Sequence, residues 1–123
     1  LPAADIEDDR RHWVREAARR LRATVLHKGA PTFVAHPDGR LAVIGAGGPE
    51  LASAGTGDVL AGAVAALLAA GLAPFEAACA AAFAHGDAGA RAAERCGVAG
   101  VMARDVLDEL AAAVRALELR RLP

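Results

Sequence analysis

Tyrosine is absent from this chain of 123 residues, tryptophan occurs once and phenylalanine three times. So few rings leave no platform on which the bases of a single strand could stack. Charge of one sign is lacking as well, since 14 basic and 15 acidic residues leave a formal net charge of −1. That balance makes no electrostatic footprint for nucleic acid or an anionic membrane, and neither partner is expected. Cysteine is limited to Cys79 and Cys96, without CxxC spacing. Both read as reduced, buried, small hydrophobic residues in a cytoplasmic protein. No secretory leader is expected, because residues 5–11 are dense in charge where an apolar stretch would be needed. The run without charge over residues 59–75 is 17 residues long. It is short for a membrane span and is punctuated by Gly71 and Pro74, so a buried core helix followed by a turn is expected. Neither a Walker A lysine nor a GxGxxG spacing is present.

What the chain does have is apolar substance, with 54% hydrophobic and 24% charged residues. That composition predicts one packed globular domain. Alanine fills 34 positions, lowering side-chain volume and favouring closely packed helices. Residues 6–21 form an amphipathic helical pattern with Trp13, Val14, Ala17, Ala18 and Leu21 on one face. Residues 24–27, 32–35 and 41–44 read as strands, the last two joined by a turn at Pro37-Asp38-Gly39. A loop over residues 45–57 holds five glycines. Helices follow over residues 58–70, from Pro74 to about Arg95, and over residues 104–119, the last with Val106, Leu107, Leu110, Val114 and Leu117 on one face. The order predicts one α/β domain, a few strands followed by three helices.

Gly55-Thr56-Gly57-Asp58 is the segment with chemistry in it. Glycines let a backbone approach a ligand closely, and a helix start offers unpaired N–H groups at its positive end. Together they make a cradle for an oxyanion or phosphoryl group. A carboxylate at that helix start stands where it can take a proton from an attacking hydroxyl. The plainer alternative is that Asp58 caps the helix and the glycines turn the chain.

Other residues have plain readings beside functional ones. Lys28 either attracts phosphate or is a solvated lysine after a strand. His85 reads as a packed or capping helix histidine rather than a ligand, and His27 and His36 as surface residues. Trp13 reads as packing; Glu94, Arg95, Arg115, Arg120 and Arg121 as a solvated helix face.

The segments Val25-Leu26-His27-Lys28-Gly29-Ala30 with Thr32, and Leu51-Ala52-Ser53-Ala54-Gly55-Thr56-Gly57-Asp58-Val59-Leu60-Ala61-Gly62, occur here in one order. With Gly71, Pro74, His85-Gly86, Ala88-Gly89 and Asp105-Val106-Leu107, they resemble the C-terminal half of the ADP/ATP-dependent NAD(P)H-hydrate dehydratases. Those enzymes belong to the ribokinase-like superfamily, and the resemblance covers about residues 22–117. It implies the C-terminal portion of a three-layer α/β/α fold, residues 1–123 being a partial domain without its N-terminal half. The implied activity is repair: the S epimer of hydrated NADH or NADPH is transiently phosphorylated by ADP (or ATP) and then loses phosphate. Asp58 would act as base at the hydrate hydroxyl. Gly55, Thr56 and Gly57 would form the anion hole, with Gly57 also contacting nucleotide. Lys28, Gly29, Ala30, Pro31 and Thr32 would line the AMP portion. Mg²⁺ is expected with the nucleotide phosphates, without protein ligands from this chain. A homo-oligomer, or association with the missing half, is also expected. Two other readings are a small-molecule kinase of the same superfamily (hydroxyethylthiazole or hydroxymethylpyrimidine type) and a non-catalytic nucleotide-binding fragment.

Overall fold

The computed structural model describes residues 9–119, so the expected start of the first helix at residue 6 lies outside the described residues. Helix α1 (Arg10–Leu21) begins at Asp9, whose carboxylate accepts the His12 N–H at 3.3 Å, a short acidic side chain satisfying an orphan donor. Val14 and Ala18 are buried, as the period requires, but Leu21 is 68% exposed. It is the last helical residue, and the chain turns away at Arg22, which is left-handed with φ 52°.

Strands β1 (Val25–His27), β2 (Thr32–Ala35) and β3 (Leu41–Ile44) form an antiparallel meander in chain order. Leu26 pairs with Val34, and Val34 in turn with Ala42. Because side chains alternate along a strand, Phe33 and Ala35 join Val14 and Ala18 of α1, while Leu26 and Ile44 face the other way. The expected hairpin turn is closed by His36 N–H to Arg40 O at 2.9 Å and Gly39 N–H to His36 O at 3.0 Å. His27 and His36 are half-buried rather than on the open surface. Arg10 Nε donates to His27 Nδ1 at 3.2 Å, and the His36 ring meets Phe75 edge-on, centroids 5.9 Å apart.

Helix α3 (Pro74–Cys96) lies on the opposite face of the sheet, and α2 (Thr56–Ala69) and α4 (Ala103–Leu119) pack against α3, completing three layers: helix, sheet, helices. Helix α3 is the centre of its layer. Ala81 and Ala82 meet Leu60 and Ala63 of α2, and Ala84, Ala88 and Ala92 meet Val101, Val106 and Ala113. Small side chains on α3 let both neighbours come close. Two 3₁₀ turns, Pro49–Ala52 and Val98–Gly100, lie before α2 and α4.

Three expectations about burial need correcting. Helix α2 is not a buried core helix: Thr56, Leu60 and Ala63 are buried, but Leu68 is 42% exposed. It is apolar nearly all round, yet it packs along one face only. On α4 Ala113 is buried and Leu107 is 55% exposed, so the inward stripe is narrower than the apolar pattern. Cys79 and Cys96 are free thiols, but both are half-buried rather than buried. Among the described residues no helix is long and apolar enough to cross a membrane.

Candidate phosphoryl site

Helix α2 starts at Thr56, two residues earlier than its apolar pattern suggests, and Gly55 is its N-cap. Gly55 has φ 89° and ψ −8°, and no side chain caps the helix. That left-handed backbone suits glycine, and a side chain there would be strained. Asp58 is therefore not the cap; it stands exposed in the first helical turn. The Asp58 and Val59 N–H groups both reach Gly55 O, at 3.1 and 3.3 Å, and Thr56 N–H reaches Ser53 O at 3.4 Å. Among the described residues the Gly57 N–H makes no backbone hydrogen bond. Of the three expected anion-hole residues, Gly57 thus presents the open amide in the first turn.

Thr56 is fully buried and gathers three chain segments. Its hydroxyl donates to Leu51 O at 2.5 Å and accepts from Lys28 Nζ at 2.6 Å. Lys28 Nζ donates also to Leu51 O at 2.9 Å. Lys28 is an exposed residue, but these two bonds tie its ammonium to the start of α2, and partial desolvation lowers its pKa from the ordinary lysine range. Its Cδ lies 4.0 Å from where a Cβ on Gly57 would stand. From the other side His85 Nε2 lies 2.8 Å from Thr56 O. A carbonyl only accepts, so the ring hydrogen sits on Nε2. Burial, with a smaller push from the Lys28 charge, holds the His85 pKa below its ordinary value, against the opposing pull of the Thr56 hydrogen bond.

Residues 28–31 connect β1 to β2, which opens at Thr32, and the connection contains a cis Ala30-Pro31 peptide. Thr32 Oγ1 ties this loop to itself, accepting from Gly29 N–H and donating to Gly29 O, both at 3.2 Å. The loop borders a cavity of about 630 Å³, whose other walls include residues 45–49, Leu51 and His85. Gly55, Gly57 and Asp58 are not among its walls; Thr56, through Lys28, joins them to it. The 45–52 wall rests directly on α3. A Cβ on Gly86 would come within 2.4 Å of Ala46 O, and one on Gly89 within 2.6 Å of Leu51 Cδ2. Glu50 is buried here, its Oε1 accepting the Gly48 N–H at 2.8 Å.

The structure therefore brings residues 28–32 and the start of α2 together. It adds three participants not expected from the residues alone: the Leu51 carbonyl, the 45–49 wall, and His85 as a donor to Thr56. The signal for the last was a lone imidazole in an alanine-rich helix next to Gly86. Among the described residues no cluster of three His, Cys, Asp or Glu side chains stands ready for a metal ion. The groups offered are those suited to an anion: an ammonium bonded to Thr56, an open backbone amide on the next residue of a helix N-terminus, and an exposed carboxylate in the same turn.

A layered α/β chain with such a helix start has close counterparts among known proteins. A carbohydrate-kinase family model described as NAD(P)H-hydrate dehydratase matches residues 1–112. The bifunctional NAD(P)H-hydrate repair enzyme Nnr of Moorella thermoacetica is 44% identical over 116 residues, 94% of this chain and 22% of that enzyme. The ADP-dependent (S)-NAD(P)H-hydrate dehydratase of Neisseria meningitidis serogroup B is 43% identical over 104 residues, 84% of this chain and 35% of the relative. The crystal structure of ADP/ATP-dependent NAD(P)H-hydrate dehydratase from Bacillus subtilis, co-crystallised with ATP/Mg²⁺, has a TM-score of 0.87 at 26% identity, covering 94% of this chain and 42% of that one. The fold and the helix start thus define an α/β protein of the carbohydrate-kinase type. Within that class the chain belongs to the NAD(P)H-hydrate dehydratase family. It spans 22% to 35% of those two curated relatives.

Proposed function

We propose that this chain is the C-terminal part of an ADP-dependent (S)-NAD(P)H-hydrate dehydratase domain, carrying its nucleotide-facing loop and phosphoryl-transfer helix start. The observation that carries this reading is the 2.6 Å bond from Lys28 Nζ to Thr56 Oγ1. It joins the segment assigned to AMP (Lys28, Gly29, Ala30, Pro31, Thr32) to the segment assigned to phosphoryl transfer (Gly55, Thr56, Gly57, Asp58). The relatives' names, dehydratases dependent on ADP, support the substrate class.

In this mechanism the nucleotide lies along residues 28–32 with its phosphates toward Lys28 and the start of α2. The Gly57 N–H and the helix dipole hold the transferring phosphoryl group, and Thr56 keeps the first turn in place. The exposed Asp58 carboxylate takes the proton of the hydrate hydroxyl as its oxygen forms the bond to phosphorus. AMP leaves when ADP is the donor. Loss of the new phosphate ester, with a proton from the neighbouring ring carbon, restores the double bond of the reduced nicotinamide. Mg²⁺ would neutralise phosphate charge and be held by the nucleotide. The partners are small molecules, adenine nucleotide and hydrated NADH or NADPH, in the cytoplasm. The active species is a homo-oligomer or an assembly with the rest of the domain.

The test incubates the full-length protein with the S hydrate of NADH, ADP and Mg²⁺. Recovery of reduced-nicotinamide absorbance with release of AMP and phosphate is expected. A stable phosphorylated small molecule in place of that recovery would overturn the reading in favour of a kinase. Nucleotide binding without any turnover would leave a binding fragment.

A further inference from the structure

We propose that His85 positions and polarises the Gly57 amide through the Thr56 carbonyl, so that a residue outside the reacting groups aims the phosphoryl site; this rests on the proposed role of Gly57. The Thr56 carbonyl and the Gly57 N–H belong to one peptide unit. That unit is planar and trans, so its C=O and N–H point in opposite directions. Whatever fixes the carbonyl fixes the amide. His85 Nε2–H holds the carbonyl at 2.8 Å from inside the protein, and the Gly57 N–H, left without a backbone partner, is aimed the other way.

His85 is suited to this. It is 2% exposed on α3, where an imidazole that found no acceptor would cost folding energy. The acceptor it has found is a backbone atom 29 residues away. Gly86, the next residue, lets α3 lie against Ala46 so closely that a Cβ would stand 2.4 Å from its carbonyl oxygen. That approach keeps the His85 backbone at a set height beside the helix start. Lys28 and Leu51 grip the Thr56 hydroxyl at the same time, so the residue cannot rotate to relieve a changed carbonyl. A hydrogen bond to the carbonyl also makes the amide of the same unit a stronger donor, because bonded peptide groups polarise one another. The relay runs from His85 Nε2–H through Thr56 C=O and Gly57 N–H to an anion.

The experiment compares His85→Leu, which removes the donor, with His85→Gln, whose amide nitrogen reaches a similar distance, in the full-length protein. Expected for His85→Leu is a kcat for ADP-dependent hydrate dehydration lower by about tenfold to a hundredfold, somewhat less than the loss of an oxyanion donor itself. The KM for ADP should stay within a few-fold, and His85→Gln should recover most of kcat. The Gly57 amide resonance should move in His85→Leu and return in His85→Gln. Its response to added inorganic phosphate should follow the same order. A folded His85→Leu protein with unchanged kcat, or with an unmoved Gly57 resonance, overturns the proposal. If His85→Leu does not fold, His85→Asn, polar but too short to reach Thr56, takes its place with the same outcomes. If the wild type dehydrates no hydrate, the functional reading falls instead, and the Gly57 resonance, which needs no turnover, still decides on His85.

Discussion

Asp58 can be altered at little structural cost, because its carboxylate is exposed and does not cap the helix. Its acidic charge at the positive end of α2 contributes on the order of 0.3–1 kcal/mol to stability. Asp58→Ala is therefore expected to leave folding and ADP affinity nearly intact. Turnover should fall by about 10²–10⁴-fold, the range of a general base. Steady-state kinetics beside ADP titration calorimetry checks both. His85 gives a pH prediction. Its folded pKa lies below the ordinary value, so the unfolded chain takes up a proton first as pH falls. The stability tied to neutral, buried His85 is complete above about pH 6.5 and is lost as pH drops from there toward the depressed value. Urea midpoints should fall between about pH 7 and pH 5, and less steeply in His85→Gln. At this scale the nearness of Gly57 and Asp58 to a glycine-rich helix start was legible. The fixing of Lys28 and the bond from His85 were not, because they depend on partners 28 and 29 residues away that no local pattern records.

Glycines separate two kinds of helix position. Gly86 faces the Ala46 carbonyl with no room for a methyl group, whereas Gly62 on α2 has no neighbour within 4 Å of a built Cβ. Gly86→Ala should force the 45–52 segment off α3 and destabilise by about 1–3 kcal/mol. Gly62→Ala should stabilise by about 0.5–1 kcal/mol through lower chain entropy and better helix propensity. Denaturant unfolding of both variants checks the opposite signs. The strands were legible almost to the residue: β2 and β3 flank Pro37-Asp38-Gly39, and β-branched or aromatic residues stop where the breakers begin. Helix α2 was placed two residues late, because Thr56 and Gly57 read as loop while the backbone already turns at Gly55. Leu21 and Leu107 were assigned to the interior because periodicity marks the direction of an apolar face. How much of that face a neighbour covers depends on packing that periodicity does not contain.

Across the whole molecule, apolar side chains remain uncovered among the described residues. Leu68 on α2, Val43 on β3, Met102, and Leu107 on α4 are all at least 42% exposed. This chain matches 42% of the Bacillus subtilis dehydratase chain, and a surface of this kind fits contact with further protein. Residues 1–123 expressed alone should self-associate, and sedimentation showing a compact monomer would contradict this. The three-layer arrangement was legible through the family resemblance more than through composition, since three short strands and four helices permit several layerings.

Thr56 also has a consequence for motion. One hydroxyl oxygen and one carbonyl oxygen tie the end of β1, the 3₁₀ turn before α2, and the middle of α3 to the same residue. Local opening of any one segment has to break its bond to Thr56, and Lys28 must release Leu51 as well. The amides of these three stretches should therefore exchange with deuterium as a single cooperative unit, and a substitution at Thr56 should split that unit into separately fluctuating pieces.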